Sequence, residues 1–149
     1  MRHPTSPFLD DHVRAGRGEH VAIETPGATL TYAALTDLAN RTGNALRDMG
    51  VEPEQRVAML LADGVDWAAT FFGALRIGAV AVPLGTRLAP EACAEMLADC
   101  RAKVLVADAG IAKPLVDLSD RMPDLRVIVA SSSLDEVRTM TSPDLDRGV

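Results

Sequence analysis

Residues 71–97 read "FFGALRIGAVAVPLGTRLAPEACAEML". The stretch begins as an apolar helix and breaks at Gly78. It continues as the strand "AVAVPL" and then enters a loop carrying one arginine, Arg87. Pro90 suits the first turn of another helix, where its missing N–H goes unneeded. Helix, strand and helix in direct succession are the interior of βαβ units, so the stretch predicts a parallel sheet. The helix that opens it, about Val65 to Ile77, carries Trp67, Ala68, Phe71, Phe72 and Leu75. An apolar circumference of that kind predicts burial on more than one side.

The same alternation extends outward. "RVAMLLA" (56–62), "KVLVAD" (103–108) and "LRVIVA" (125–130) are short apolar runs with almost no polar alternation, as expected for parallel strands covered on both faces. Between them, Cys93, Met96, Leu97 and Cys100 repeat at helical spacing, as do Ile111, Leu115, Leu118 and Met122. Upstream, "VAIET" and "TLTY" flank Pro26 and Gly27 and read as a small hairpin. Thr31 is placed to cap a helix that carries Leu35, Leu38, Ala39, Thr42, Ala45, Leu46 and Met49 on one face and stops at Gly50. The fold class is therefore α/β: a parallel sheet of about four to five strands, helices on both faces and an N-terminal hairpin. The expected division is an arm over 1–20 with a short helix from Phe8 to Ala15, an α/β subdomain over 21–130, and a linker-like tail over 131–149. One helical turn is expected near Leu134 to Arg138.

With 149 residues, 48% of them hydrophobic, the chain can bury a core without disulfides or metals. Only 3% are aromatic, so Ala, Val and Leu must do the packing. The net charge of −6 argues against a phosphate-backbone binder, so no nucleic-acid partner is expected. The apolar run Trp67 to Leu84 is interrupted by Arg76 and Gly78 and reads as helix plus buried strand, with no membrane span expected. The start "MRHPTSPFLDDHVRAG" lacks the apolar segment of a signal peptide, and a cytoplasmic location is the expectation.

Candidate chemistry is sparse. Cys93 and Cys100, on one helix, would stand about 10 Å apart along its axis, too far for a disulfide, and read as core thiols. His3, His12 and His20 all fall in the first twenty residues, with no ligand set spaced for zinc. The glycines of a dinucleotide loop, a P-loop or a nucleophile elbow are missing. Asp63 and Asp66 read as a loop acid and a first-turn helix acid, and Asp108 as a solvated residue at a strand end.

Two segments carry a family resemblance. "TLTYAALTDLANRTGNALRDMGVEPEQRVAMLL" resembles the opening of the adenylate-forming acyl- and aryl-CoA ligases, and "FFGALRIGAVAVPLGTRLAPEACAEMLADCRAKVLVAD" resembles the next segment of those enzymes. The arm "PFLDDHVRAGRGEHVAIET" resembles the benzoate–CoA ligase branch. The resemblance covers about residues 7–130. It implies the N-terminal subdomain of an AMP-forming ligase that joins a carboxylate to ATP as an acyl-AMP and passes the acyl group to CoA. ATP, Mg and CoA are the family's cofactors, and none is expected to bind tightly to this chain. The phosphate loop of the form "SGTTGxPKG", the aromatic adenine motif and the catalytic lysine are not among these 149 residues. The expectation is thus a front portion of a ligase, truncated or excised, with no catalytic residue of its own. The alternative is a stand-alone, non-catalytic α/β interaction module descended from one. Expected partners are the rest of a ligase, another protein, or a second copy meeting an exposed apolar face.

Arg87, in "GTRL", matches an arginine that in some aryl-CoA ligases approaches the nucleotide phosphate of CoA. Read from the residues alone, it is a surface arginine pairing with a nearby acid. Three positions depart from the family pattern. Ala34 stands where glutamate would complete a capping box, Gln55 stands for Asp, and Gly85 stands for Asn.

Overall fold

The computed structural model describes residues 4–131 and 137–140. A hairpin of β1 (Val21–Thr25) and β2 (Ala28–Thr31) precedes the main sheet. Helix α2 (Tyr32–Asp48) comes after it, then β3 (Arg56–Leu60), α3 (Val65–Arg76), β4 (Val80–Pro83) and α4 (Pro90–Asp99). Next come β5 (Ala102–Asp108), α5 (Ala109–Val116), β6 (Val127–Ser131) and β7 (Val137–Met140). The short α1 (Asp10–His12) lies in the arm and runs into a π-helical turn over Val13–Arg17.

The sheet order is β4-β3-β5-β6-β7. The first four strands are parallel and β7 is antiparallel to β6. The four expected core strands are thus present and parallel. Val137 and Arg138, expected in a helical turn, belong to β7, while Leu134 lies outside the described residues.

Helices cover both faces, and alternation along β3 shows how. Val57 and Met59 point to one face, where they pack with Leu46 of α2 and Ala74 of α3. Ala58 and Leu60 point to the other, against Cys93 and Leu97 of α4 and Leu115 of α5. Right-handed crossovers produce this division. The chain steps one way from β3 to β4 and the other way from β4 past β3 to β5, so α3 and α4 fall on opposite faces. Strand β4 ends at the sheet edge, with Val80 46% exposed, which corrects the expectation of a buried strand. Pro83 suits that edge, since the outer side of the strand needs no N–H donor.

Local signals formed as the sequence predicts. The Thr31 hydroxyl caps α2 by accepting the Ala34 N–H at 3.2 Å, so the half of the capping box that is present works without its glutamate. Gly50, at φ 88°, closes the same helix in the left-handed region. On α4 the apolar stripe is narrower than expected. Cys93, Ala94 and Leu97 are buried, but Met96 is exposed.

Part of the apolar circumference of α3 has its explanation inside this chain. One side packs on the sheet and another on α2. Gly43 and Gly73 face each other where the helices meet. A Cβ on Gly73 would lie 2.9 Å from the Thr42 side chain, and one on Gly43 would lie 2.9 Å from the Gly73 carbonyl oxygen. The arm covers part of what remains. Leu9 is buried against Leu35, Ala39 and Ala68, and Phe8 meets Phe72 at 6.3 Å between ring centres. Arg76, the charge that interrupts this apolar helix, donates to both carboxylate oxygens of Asp10 in the arm, at 2.8 and 2.9 Å.

Candidate functional site

In parallel α/β sheets, ligands bind outside the carboxyl ends of the strands, where the strand order reverses. Here the order reverses around β3, between β3 and β5. An open cleft of about 270 Å³ lies at that end of the sheet. It is lined by the hairpin at Thr25, Gly27 and Ala28, by residues 62–66, and by Asp108.

Side chains tie this end together. Asp108 is the last residue of β5 and precedes α5, yet its carboxylate does not cap that helix. It reaches across to accept the Ala62 N–H at 3.0 Å, just beyond β3. Asp108 is thus more than a solvated residue: it bridges the ends of β3 and β5 while still lining the open cleft. Asp66, in the first turn of α3, accepts the Ser131 hydroxyl at the end of β6. Asp63 stays exposed in the loop, as the sequence predicts.

The cleft is therefore acidic. Asp63, Asp66 and Asp108 line it, and no lysine, arginine or histidine does among the described residues. A polyphosphate placed there would meet three carboxylates and no cation, so the residues present do not fit ATP. Nor do three carboxylate, histidine or cysteine side chains converge as metal ligands anywhere among the described residues.

Arg87 lies in the loop after β4, at the same end of the sheet. It is exposed, and no hydrogen bond or ion pair engages it among the described residues. Its guanidinium is accessible to an anion. Both cysteines are free thiols. Burial pushes both thiols up, and Cys93 is 1% exposed, so neither is poised as a thiolate nucleophile. His12 stacks on Tyr32 at 4.2 Å and accepts from Arg17 Nε at 3.2 Å, a structural arrangement within the arm.

Sequence reasoning missed the Asp10–Arg76 pair and the Asp66–Ser131 bond. The first had one available signal, a lone arginine in a helix apolar on every side, which requires a buried counter-charge. The second had none, because serine and aspartate are ordinary at strand and helix ends.

The AMP-binding enzyme family matches residues 9–147. A 4-hydroxybenzoate–CoA/benzoate–CoA ligase of Rhodopseudomonas palustris is 37% identical over 123 residues, which are 83% of this chain and 23% of that one. Among solved structures, an anthranilate CoA ligase in complex with anthranoyl-AMP superposes with a TM-score of 0.81 at 31% identity, over 85% of this chain and 24% of its own. The N-terminal domain of FACL13 from Mycobacterium tuberculosis superposes with a TM-score of 0.78 at 27% identity, over 96% of this chain and 38% of its own. The chain thus spans about a quarter of the length of the CoA ligases it matches. With a family match across nearly the whole sequence and an architecture shared with an N-terminal ligase domain, the chain belongs to the AMP-binding enzymes and corresponds to the N-terminal portion of the CoA ligases it matches.

Proposed function

We propose that this chain supplies the N-terminal scaffold of an aryl- or acyl-CoA ligase and not its reaction centre. The whole reaction joins a carboxylate to ATP, giving acyl-AMP and pyrophosphate. The CoA thiol then displaces AMP to give the acyl-CoA. The observation that carries the division of labour is the cleft at the strand ends. It is acidic, and one of its carboxylates, Asp108, is engaged by the Ala62 N–H. Stabilising charge on transferring phosphates needs positioned donors and cations, and this cleft offers carboxylates. An aryl acid is the favoured substrate class, because benzoate-type ligases stand among the similar proteins. The partner is the remainder of such a ligase, which meets the half-buried ring surface of Trp67, Phe71 and Phe72.

ATP–pyrophosphate exchange with a panel of benzoates and fatty acids tests the proposal. The purified 149-residue chain stays at background. A chimera carrying residues 9–131 in place of the matching stretch of the Rhodopseudomonas ligase exchanges with benzoate. Robust exchange by the chain alone, or a folded but inactive chimera, refutes the scaffold role.

Within that enzyme, Arg87 is proposed to contact the nucleotide phosphate of CoA. A charge-assisted bond to phosphate is worth about 1.5–3 kcal/mol, and its exposure places this one at the low end. Arg87→Ala in the chimera should raise KM for CoA about tenfold while leaving pyrophosphate exchange unchanged. Dephospho-CoA should show the same KM with both proteins. An unchanged KM for CoA removes the role.

A further inference from the structure

Helix α2 carries two stripes at helical spacing, and its neighbours cover one of them. Leu35, Ala39 and Leu46 are buried against the arm, α3 and the sheet. Leu38, Thr42 and Met49 are half-buried and Ala45 is exposed, although they repeat along the same helix as a second stripe. That second stripe is one wall of an apolar groove of about 140 Å³ between α2, α3 and the sheet. Val106 of β5 and Val129 of β6 form its floor. Asp66 is the one ionisable residue that lines it, and the Ser131 hydroxyl already donates to its carboxylate.

We infer that this groove seats an apolar helix from the remainder of the ligase, lying beside α2 and over β6, an inference that rests on the scaffold role proposed above. Three observations select that occupant. Parallel strands are covered by helices on both faces, yet α2 and α3 are the helices that pack on this face among the described residues, and Val127 of β6 stays half-buried there. This chain spans 23% of the Rhodopseudomonas ligase, so most of such an enzyme lies outside it. Ser131, at the rim of the groove, and β7 beside it are the last described residues, so a longer chain continues from next to the groove. The lining sets the chemistry: apolar side chains fit, and a charged or strongly polar segment would lose its hydration there without gaining a partner. This contact is additional to the ring surface of Trp67, Phe71 and Phe72.

Thiol labelling tests it, with a maleimide as probe, in the 149-residue chain and in the chimera with the Rhodopseudomonas ligase. Ala45→Cys and Met49→Cys each place a small side chain in the groove wall, and the wild-type proteins give the background from Cys93 and Cys100. Both new thiols should label readily in the free chain. They should label at least about tenfold more slowly in the chimera, because access then requires the docked helix to open. Asn44→Cys, exposed on the next residue of α2 and outside the groove, should label equally in both proteins. Equal labelling of the groove thiols in chain and chimera overturns the inference, whether or not the chimera exchanges pyrophosphate. Groove thiols already shielded in the free chain overturn it as well. Shielding that dilution removes then identifies a second copy, and shielding that deletion of residues 141–149 removes identifies the chain's own tail. A folded chimera that shields the thiols yet fails to exchange upholds the docking and refutes the scaffold role, so the two readings fail separately.

Discussion

Arg76→Met should destabilise the chain by about 2–4 kcal/mol at neutral pH, a large part of the stability of a domain this size. The Asp10 and Arg76 side chains are 18% and 14% exposed, and two charge-assisted bonds of 2.8 and 2.9 Å hold them together. The favourable part of such a pair is largely offset by desolvation, but removing Arg76 leaves Asp10 charged and poorly hydrated, with the Ser6 hydrogen bond and the weaker pull of Arg14 in place of the guanidinium. Asp10→Asn should cost less, because a neutral amide is easier to leave there.

The pH dependence has a fixed direction. Hydrogen bonding to the Arg76 guanidinium, outweighing the opposing effect of burial, holds the Asp10 carboxyl below its usual range. A depressed folded-state value means that the contribution is complete above the unfolded value, about 3.9. It is lost as pH falls through the lower, folded value. Denaturant unfolding, monitored by the single Trp67, should therefore show wild type losing more stability than Asp10→Asn below about pH 4. Equal stability of Arg76→Met and wild type at pH 7 contradicts the clamp.

Gly73→Val should cost at least about 3 kcal/mol, because it separates α2 from α3 at their closest approach. The backbone terms point the other way. Glycine inside a helix is about 0.5–1 kcal/mol less favourable than alanine, and valine recovers only part of that difference because its branched Cβ loses rotamer freedom. Sterics decide, because a Cβ here meets the Thr42 Cβ and Cγ2 at 2.9 Å and the Gly43 nitrogen at 3.0 Å. The Thr42 Cβ and the backbone of α2 are not flexible side-chain ends that can swing aside, so the helices must part. Parting them opens the apolar layer of Leu46, Val57, Ala74 and Val106 beneath. Gly110→Ala is the control of opposite sign. Its site in α5 has nothing within 4 Å and no positive φ, so it should stabilise by about 0.4–1 kcal/mol. Thermal unfolding of the two variants side by side reads both. A Gly73→Val protein as stable as wild type shows that the helix contact adapts.

Much of the molecule was legible before its structure. The strands at "RVAMLL", "KVLVAD" and "LRVIVA" are marked by continuous apolar runs, which only a sheet covered on both faces supports. Thr31, Gly50 and Pro90 mark helix ends through interactions within one turn, and all three act as their chemistry predicts. At the candidate site, legibility stopped early. Asp63, Asp66 and Asp108 were visible as acids, but only the fold brings them to one cleft.

The sequence by itself determined the four parallel strands, the helices between them, their order and the family, though not β7, because periodicity, caps and motifs are properties of neighbouring residues. Only the tertiary structure decided that β4 is an edge, that the arm is clamped by Asp10 to Arg76, and that three carboxylates gather at the strand ends. Those bonds join residues 66, 46 and 65 positions apart, as Arg76 to Asp10, Ala62 to Asp108 and Ser131 to Asp66. Each needs two groups that are ordinary alone, and chain folding, not local propensity, supplies the encounter.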